Sequence, residues 1–366
     1  MISTKEKIGT SQMIALLIST VIGVGILSLP RNLADKVKGL GFLVIILATI
    51  VCIFLAYLVY KVLYKFKNKS IMQISSAILT KPVAYLIGIM FIVHYFIILG
   101  TVTRIFGEVV KMHMLQKTPI EVIIISMLFV SAYGSRRGIE GIARTSQIIL
   151  FLMVIPVMFI FFFSLESADI SNLMPIFDNN FSKILPTTFL TTFSFTGFES
   201  MLILGVFMRE PKNIFKAQWI SLLFIGIAYI FFAVITVCVF GQMETAHLMW
   251  PTLTIVKVID IPGAFLENLD ALIMGAWTLN IFITICVCFF CTSLVMGDML
   301  NCKEINYFDY SLIPIVYILA LYPDNLAHVY DLVNNKYIVG LQISVFAGIP
   351  LILFLFSKFS KRVKRA

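Results

Sequence analysis

Charge is what this chain has least of. Only 13% of its 366 residues are charged, while 60% are hydrophobic. A soluble domain carries roughly 25% charged and roughly 45–50% apolar residues. A soluble enzyme, a disordered chain and a small disulfide scaffold are therefore excluded. Cysteine is sparse as well. Cys52, Cys238, Cys286, Cys288, Cys291 and Cys302 lie mostly inside apolar runs and read as small buried hydrophobes, with no disulfide framework visible. Only Cys288 and Cys291 share a helix face, and no histidine is near them in sequence, so no metal is expected. No Ser/His/Asp set has catalytic spacing, so neither an enzyme nor a cofactor is expected. The apolar runs do not alternate in and out, which argues against a barrel. A net charge of +9 and a pI of 9.2 do not point to nucleic acid, because the basic residues sit in short clusters between apolar runs.

What is present is an all-α, polytopic membrane protein. A membrane-spanning helix takes roughly 20 mostly apolar residues, which leaves room for about ten. The expected spans are Thr10–Leu33, Leu40–Lys65, Val83–Met112, Thr118–Ser135, Gly138–Ser164, Ile184–Met208, Ile214–Phe240, Leu266–Val295, Tyr310–Tyr322 and Ile338–Phe356. Lys5 and Lys7 before the first apolar stretch resemble a signal peptide, but no A-x-A-like cleavage site follows, so a retained first helix is expected. Ser70–Leu79 has Ile71, Ile74 and Ile78 at helical spacing and reads as a short amphipathic helix on the inner surface. With the N-terminus inside, the inner segments hold nineteen of the 28 basic residues, among them Lys65, Lys67, Lys69, Arg136, Arg137, Arg209, Lys212 and Lys358. The positive-inside rule then puts both termini in the cytoplasm.

Two spans carry a central interruption. The first reads Ser19-Thr-Val-Ile-Gly-Val-Gly-Ile-Leu-Ser-Leu-Pro30, and the sixth Thr191-Thr-Phe-Ser-Phe-Thr-Gly-Phe-Glu-Ser200. Glycine weakens a helix by about 1 kcal/mol, and unwound backbone survives at membrane depth only where protein or a cavity satisfies it. These two spans open the two halves of the chain. Five helices is an odd number, so the second half enters the bilayer from the opposite face. The expectation is a single transmembrane domain over residues 1–366, built of two inverted five-helix repeats of about 10–164 and about 184–357. Paired breaks at matching positions point to a binding site between them. The alternative is that the glycines only allow close helix packing.

At these residues the chain resembles a known family. Ile22-Gly-Val-Gly-Ile-Leu27 and Phe195-Thr-Gly-Phe-Glu199 are similar to the broken-helix motifs of the amino acid–polyamine–organocation superfamily, with its LeuT-like fold. Arg136-Arg-Gly-Ile-Glu-Gly-Ile-Ala-Arg-Thr145 and Arg209-Glu-Pro-Lys212 narrow the match. So does the loop with Trp250-Pro-Thr-Leu-Thr254, Ile261-Pro-Gly263 and Phe265-Leu-Glu-Asn-Leu-Asp-Ala271. Together they resemble the spore germination permeases, the B-type subunits of bacterial nutrient germinant receptors. The resemblance implies a germinant-binding subunit in the spore inner membrane, working with an A-type subunit and a lipoprotein C-type subunit. It also implies that Tyr95 closes over a ligand.

The residues suggest a chemistry for that ligand. Backbone N–H groups of Gly23, Val24, Gly25 and Ile26, at the positive end of a half-helix, suit a carboxylate. Carbonyls of Phe195, Thr196, Gly197 and Phe198 suit an ammonium group, and the two Phe rings would bound an apolar side chain. A zwitterionic amino acid fits both ends. Glu199 is open to three roles: contacting the ammonium, capping the second half-helix, or carrying a proton. His94 reads as a packing residue or a proton relay, and Arg104 with Glu108, four apart, as a local ion pair. In the eighth span Thr278, Asn280, Thr284, Thr292 and Ser293 are polar, and Thr284 is the candidate site liner. The fifth span from Ser146 to Ser164 lacks the lysine that some proton-coupled relatives place there. The functional expectation is a receptor subunit that binds a small nutrient and signals to partners. The alternative is a proton-coupled amino acid secondary transporter.

Overall fold

A computed structural model describes residues 6–174, 181–258, 269–302 and 304–359. Helix follows helix throughout. The first span is two half-helices, α1 (Thr10–Val21) and α2 (Gly25–Val37), followed by α3 (Gly41–Lys65), a short α4 (Ile71–Ile78), α5 (Lys81–His113), α6 (Ile120–Ser135) and α7 (Gly138–Ser164). The sixth span is α8 (Phe181–Thr192), a stretch of tight turns, and α9 (Met201–Leu204). Then come α10 (Ile214–His247), α11 (Pro251–Val258), α12 (Leu269–Leu300), α13 (Asn306–Leu321) and α14 (Leu326–Val333). The last span is α15 (Lys336–Ile343), a π turn and α16 (Ile349–Phe359).

By length and apolarity alone, six helices among the described residues reach across a membrane, and two bent pairs bring the number to eight. The shorter Thr10–Val21, continued by α2, and Ile120–Ser135 complete the ten expected segments. The chain is a multi-pass membrane protein. Its central post is α12, whose most apolar window is 83% buried against α1, α5, α6 and α7. On the other flank α10 packs on α2 and α3.

Contacts between loops fix the up-and-down order. One face gathers the start of the chain, the turn after α3, the start of α7 and the linker after α9. Ile8 forms a parallel bridge with Met208: its N–H donates to the Phe207 carbonyl at 2.9 Å, and the Arg209 N–H donates to the Ile8 carbonyl at 2.9 Å. Lys7 Nζ reaches the Val206 carbonyl at 2.9 Å and Asn68 Oδ1 at 3.2 Å. Glu6 Oε2 accepts the Glu140 N–H at 3.1 Å, where a helix start favours an anion. The opposite face gathers other pairs. His113 lies 5.8 Å from Trp250, ring to ring. The Asp169 N–H donates to the Cys238 carbonyl at 3.0 Å. Arg104 pairs with Glu108 at 2.9 Å, as the four-residue spacing predicts, and also donates to the Asp324 carbonyl at 2.9 Å in the α13–α14 turn. Near the first face, the Ser135 and Ser293 hydroxyls converge on Asp309 Oδ1 at 2.9 and 2.6 Å, tying α6, α12 and α13 together.

The loop after α10 contributes more than a connection. Pro30 has no N–H, so the Ile26 carbonyl one turn earlier has no helical partner. The Thr252 hydroxyl of α11 supplies the missing bond at 2.8 Å. The described part of the loop that begins at Trp250 is α11, docked on α2; residues 259–268 lie outside the described residues.

This pairing predicts a non-additive cycle. Thr252→Val leaves a buried carbonyl unpaired and costs about 1–3 kcal/mol. In a Pro30→Ala background, where residue 30 regains an N–H, the same change costs about 0.5 kcal/mol or less. Thermal unfolding of the four purified proteins measures the difference.

Candidate functional site

The first break runs through Ile22, Gly23 and Val24, where the backbone leaves the helix at Ile22 (φ −76°, ψ 68°). Carbonyls of Ser19 to Gly23 lose their partners one turn ahead. One stripe of α12 supplies replacements at helical spacing. Trp277 Nε1 donates to the Gly23 carbonyl at 3.3 Å, the Asn280 amide to that of Ile22, and the Thr284 hydroxyl lies 3.1 and 3.2 Å from those of Ser19 and Thr20. Thr284 thus lines the break, 3.5 Å from where a Cβ on Gly23 would stand. The N–H groups of Val24, Gly25 and Ile26 open α2 and have no acceptor within their own helix, as for any helix start. Val24 and Gly25 are half-buried, Ile26 buried.

The second break is built from tighter turns. Gly197 has φ +120°, a conformation open to glycine and strained for other residues. Its carbonyl accepts the Ser200 N–H at 3.1 Å and the Ser200 hydroxyl at 2.6 Å. The Phe193 carbonyl accepts the Thr196 N–H at 3.1 Å and hydroxyl at 2.6 Å. The sequence suggests that the Phe195 to Phe198 carbonyls are left open for an ammonium here; that of Gly197 is instead engaged by Ser200 and that of Phe198 by the Met201 N–H, and just upstream the Ser194 carbonyl accepts the Tyr229 hydroxyl at 2.7 Å.

The two breaks touch. A Cβ on Gly25 would stand 3.4 Å from the Ser194 carbonyl and 3.6 Å from Tyr229 Oη; one on Gly197 would meet Thr20 and Val21 at 3.1 and 3.2 Å. Tyr229, fully buried, also lies 3.3 Å from the Val21 carbonyl. Phe195 meets the Tyr229 ring edge-on at 5.2 Å, and Phe198 meets Phe346 of the π turn edge-on at 4.6 Å. Both Phe rings are buried and form the apolar wall of the junction.

Glu199 does two things at once. Oε2 accepts the Gly197 N–H at 2.7 Å, and Oε1 lies 3.0 Å from His94 Nε2. Both side chains are buried, at 0 and 1% exposure. The cap is one of the roles open to it from sequence; the pairing with α5 makes His94 more than packing. Tyr95, next to His94, is buried, and its hydroxyl pairs with the Cys291 thiol of α12. Its electrostatic neighbours are Cys291, Glu199 and Cys288. Tyr95 thus stands between α5 and α12, near Glu199. Tyr229 and Trp277 are missed by sequence reasoning. A polar ring atom in an otherwise apolar span, which has to find a partner at that depth, is the signal that would find them.

A family model described as "Spore germination protein" matches residues 7–329. The chain belongs to this family. Among spore germination proteins, it is 28% identical over 372 residues to spore germination protein YndE of Bacillus subtilis (strain 168), covering 99% of both chains. It is 26% identical over 364 residues to spore germination protein GerLB of Bacillus cereus, covering 98% of this chain and 96% of that one. Two solved structures share the fold. MhsT in complex with L-phenylalanine aligns with a TM-score of 0.71 at 14% identity, covering 96% of this chain and 89% of that one. Mhp1, a nucleobase-cation-symport-1 family transporter in a closed conformation with bromovinylhydantoin bound, aligns at 0.69 and 10% identity, covering 96% and 78%. This spore germination protein has the LeuT-type fold: inverted five-helix repeats with broken first and sixth spans.

The Glu199 contacts predict an asymmetric response to mutation. Glu199→Leu removes the cap and leaves His94 buried without its partner, which costs about 3–5 kcal/mol. Glu199→Gln keeps one acceptor oxygen for the Gly197 N–H and turns its amide N–H toward His94 Nε2, which accepts in the other tautomer, and costs about 1 kcal/mol. Melting temperatures of the two purified variants against the unmodified chain check the order.

Proposed function

We propose that this chain is the membrane subunit of a spore germinant receptor, that it binds a small nutrient where the two broken spans meet, and that it passes the signal to partner subunits. The observation that carries the proposal is the junction itself. The N-terminal N–H groups of α2 at Val24, Gly25 and Ile26 face the second break across Gly25 and Ser194. That juxtaposition offers donors for a carboxylate beside the Ser194 carbonyl, an acceptor for an ammonium group once the Tyr229 hydroxyl gives it up, with Phe195 and Phe198 against the side chain. An amino acid has this chemistry. Gly23, Thr196, Gly197, Glu199, Tyr95 and Thr284 complete the proposed site. Family membership supports the germination role. The partners are A-type and C-type receptor subunits, the location is the spore inner membrane, and both termini lie in the cytoplasm with the basic loops. One domain contains both repeats, divided as residues 10–164 and 184–357.

Binding shifts the chain between states by contacting one better than the other. Gly25→Ala tests the site. The added methyl meets ordinary contact distances, so the protein is expected in the membrane at its normal level. The half-maximal nutrient concentration is expected to rise at least about tenfold. A dose–response curve on spores carrying the variant, with immunodetection of the chain, reads both. An unchanged curve rejects the site.

The second reading is a proton-coupled amino acid transporter. The observation that favours it is the buried His94–Glu199 pair at the second break, since ionisable groups at membrane depth mark ion pathways. Purified chain in sealed vesicles decides: uptake of labelled amino acids driven by a proton gradient favours transport, and none favours the receptor.

A further inference from the structure

Tyr229 does something that the ligand-binding reading does not assign. Its hydroxyl sits between the two broken spans, 2.7 Å from the Ser194 carbonyl and 3.3 Å from the Val21 carbonyl. A hydroxyl has a single proton to donate, and the shorter contact is with Ser194. That carbonyl lies beside Gly25, where the α2 N–H groups begin. The ring is held independently of the hydroxyl: it is fully buried and packs edge-on against Phe195 at 5.2 Å.

We propose that Tyr229 is an internal competitor for the nutrient's amino group. In the resting state its hydroxyl occupies the Ser194 carbonyl and bridges toward α1, holding the breaks together. A ligand whose carboxylate lies on the α2 N-terminus brings its ammonium to the same carbonyl and takes it from Tyr229. Breaking that bond leaves the tyrosine hydroxyl only its longer contact with the Val21 carbonyl, so every ligand works against it. A charged donor makes roughly twice as strong a bond as a neutral one. The latch therefore favours ligands with a protonated amine over isosteres with a neutral donor. Tyr229 acts as a specificity-determining residue of the site under Proposed function and rests on that reading.

Removing the hydroxyl reverses the balance. In Tyr229→Phe the resting carbonyl is unpaired, and the ligand gains a bond with nothing to displace. One neutral hydrogen bond corresponds to about a two- to tenfold change in binding. Spores carrying the unmodified chain, Tyr229→Phe or Gly25→Ala are exposed to graded doses of a mixture of the common L-amino acids. The expected result is a half-maximal dose about two- to tenfold lower for Tyr229→Phe. An unchanged or raised dose for Tyr229→Phe, with Gly25→Ala silent, overturns the latch and leaves the binding site standing. Gly25→Ala responding like the unmodified chain overturns the binding site itself. A second substitution guards against loss of the folded protein. Fluorotyrosine at position 229 keeps the ring shape and strengthens the donated bond, so the half-maximal dose is expected to rise. A fall or no change with fluorotyrosine also overturns the latch.

Discussion

Every backbone N–H and carbonyl inside a bilayer has to find its partner within the protein. That requirement organises this structure. A continuous helix meets it alone, whereas an interrupted one passes the demand to its neighbours. The break at Ile22–Val24 recruits Trp277, Asn280 and Thr284 from α12, and proline at position 30 recruits Thr252 from α11. The break at Phe195–Gly197 recruits Tyr229 from α10 and the Glu199 carboxylate from its own next turn. The helices around the junction are held there by what the broken spans lack.

This division explains which features are legible in the sequence. Apolar runs report a continuous helix because the helix is locally self-sufficient, and the fifth span has the expected bounds, Gly138–Ser164. Glycine, serine and threonine in mid-span report the breaks, because such residues weaken a helix locally. Arg104 and Glu108 pair because four residues is one turn. The rest depends on residues brought from far away. His94 meets Glu199 across 105 positions, and Ser135 meets Asp309 across 174. Nothing near Tyr229 in the chain marks the carbonyls that it serves. A local pattern shows that a polar atom is buried, and the fold determines its partner. The short helices α11 and α14 escape the apolar-run criterion because neither is long enough to cross.

The junction is also crowded. Phe195, Phe198, Tyr95 and Tyr229 are each at 1% exposure or less, and the π turn at Ser344–Gly348 brings Phe346 onto Phe198. A low-dielectric surround strengthens each hydrogen bond made there and raises the cost of each one missed. Small differences between a ligand's donors and the protein's own can then shift the balance between states.

The short backbone bridge from Ile8 to Met208 has a mechanical consequence. It lies two residues before α1 and four after α9, so it rivets together the same-face halves of both interrupted spans. Neither half can tilt alone without parting two main-chain hydrogen bonds. Among the described residues, no main-chain hydrogen bond of this kind joins α2 to α8 on the other side of the junction. Displacing α1 therefore carries α9 with it, while the two breaks meet at Gly25 and Ser194.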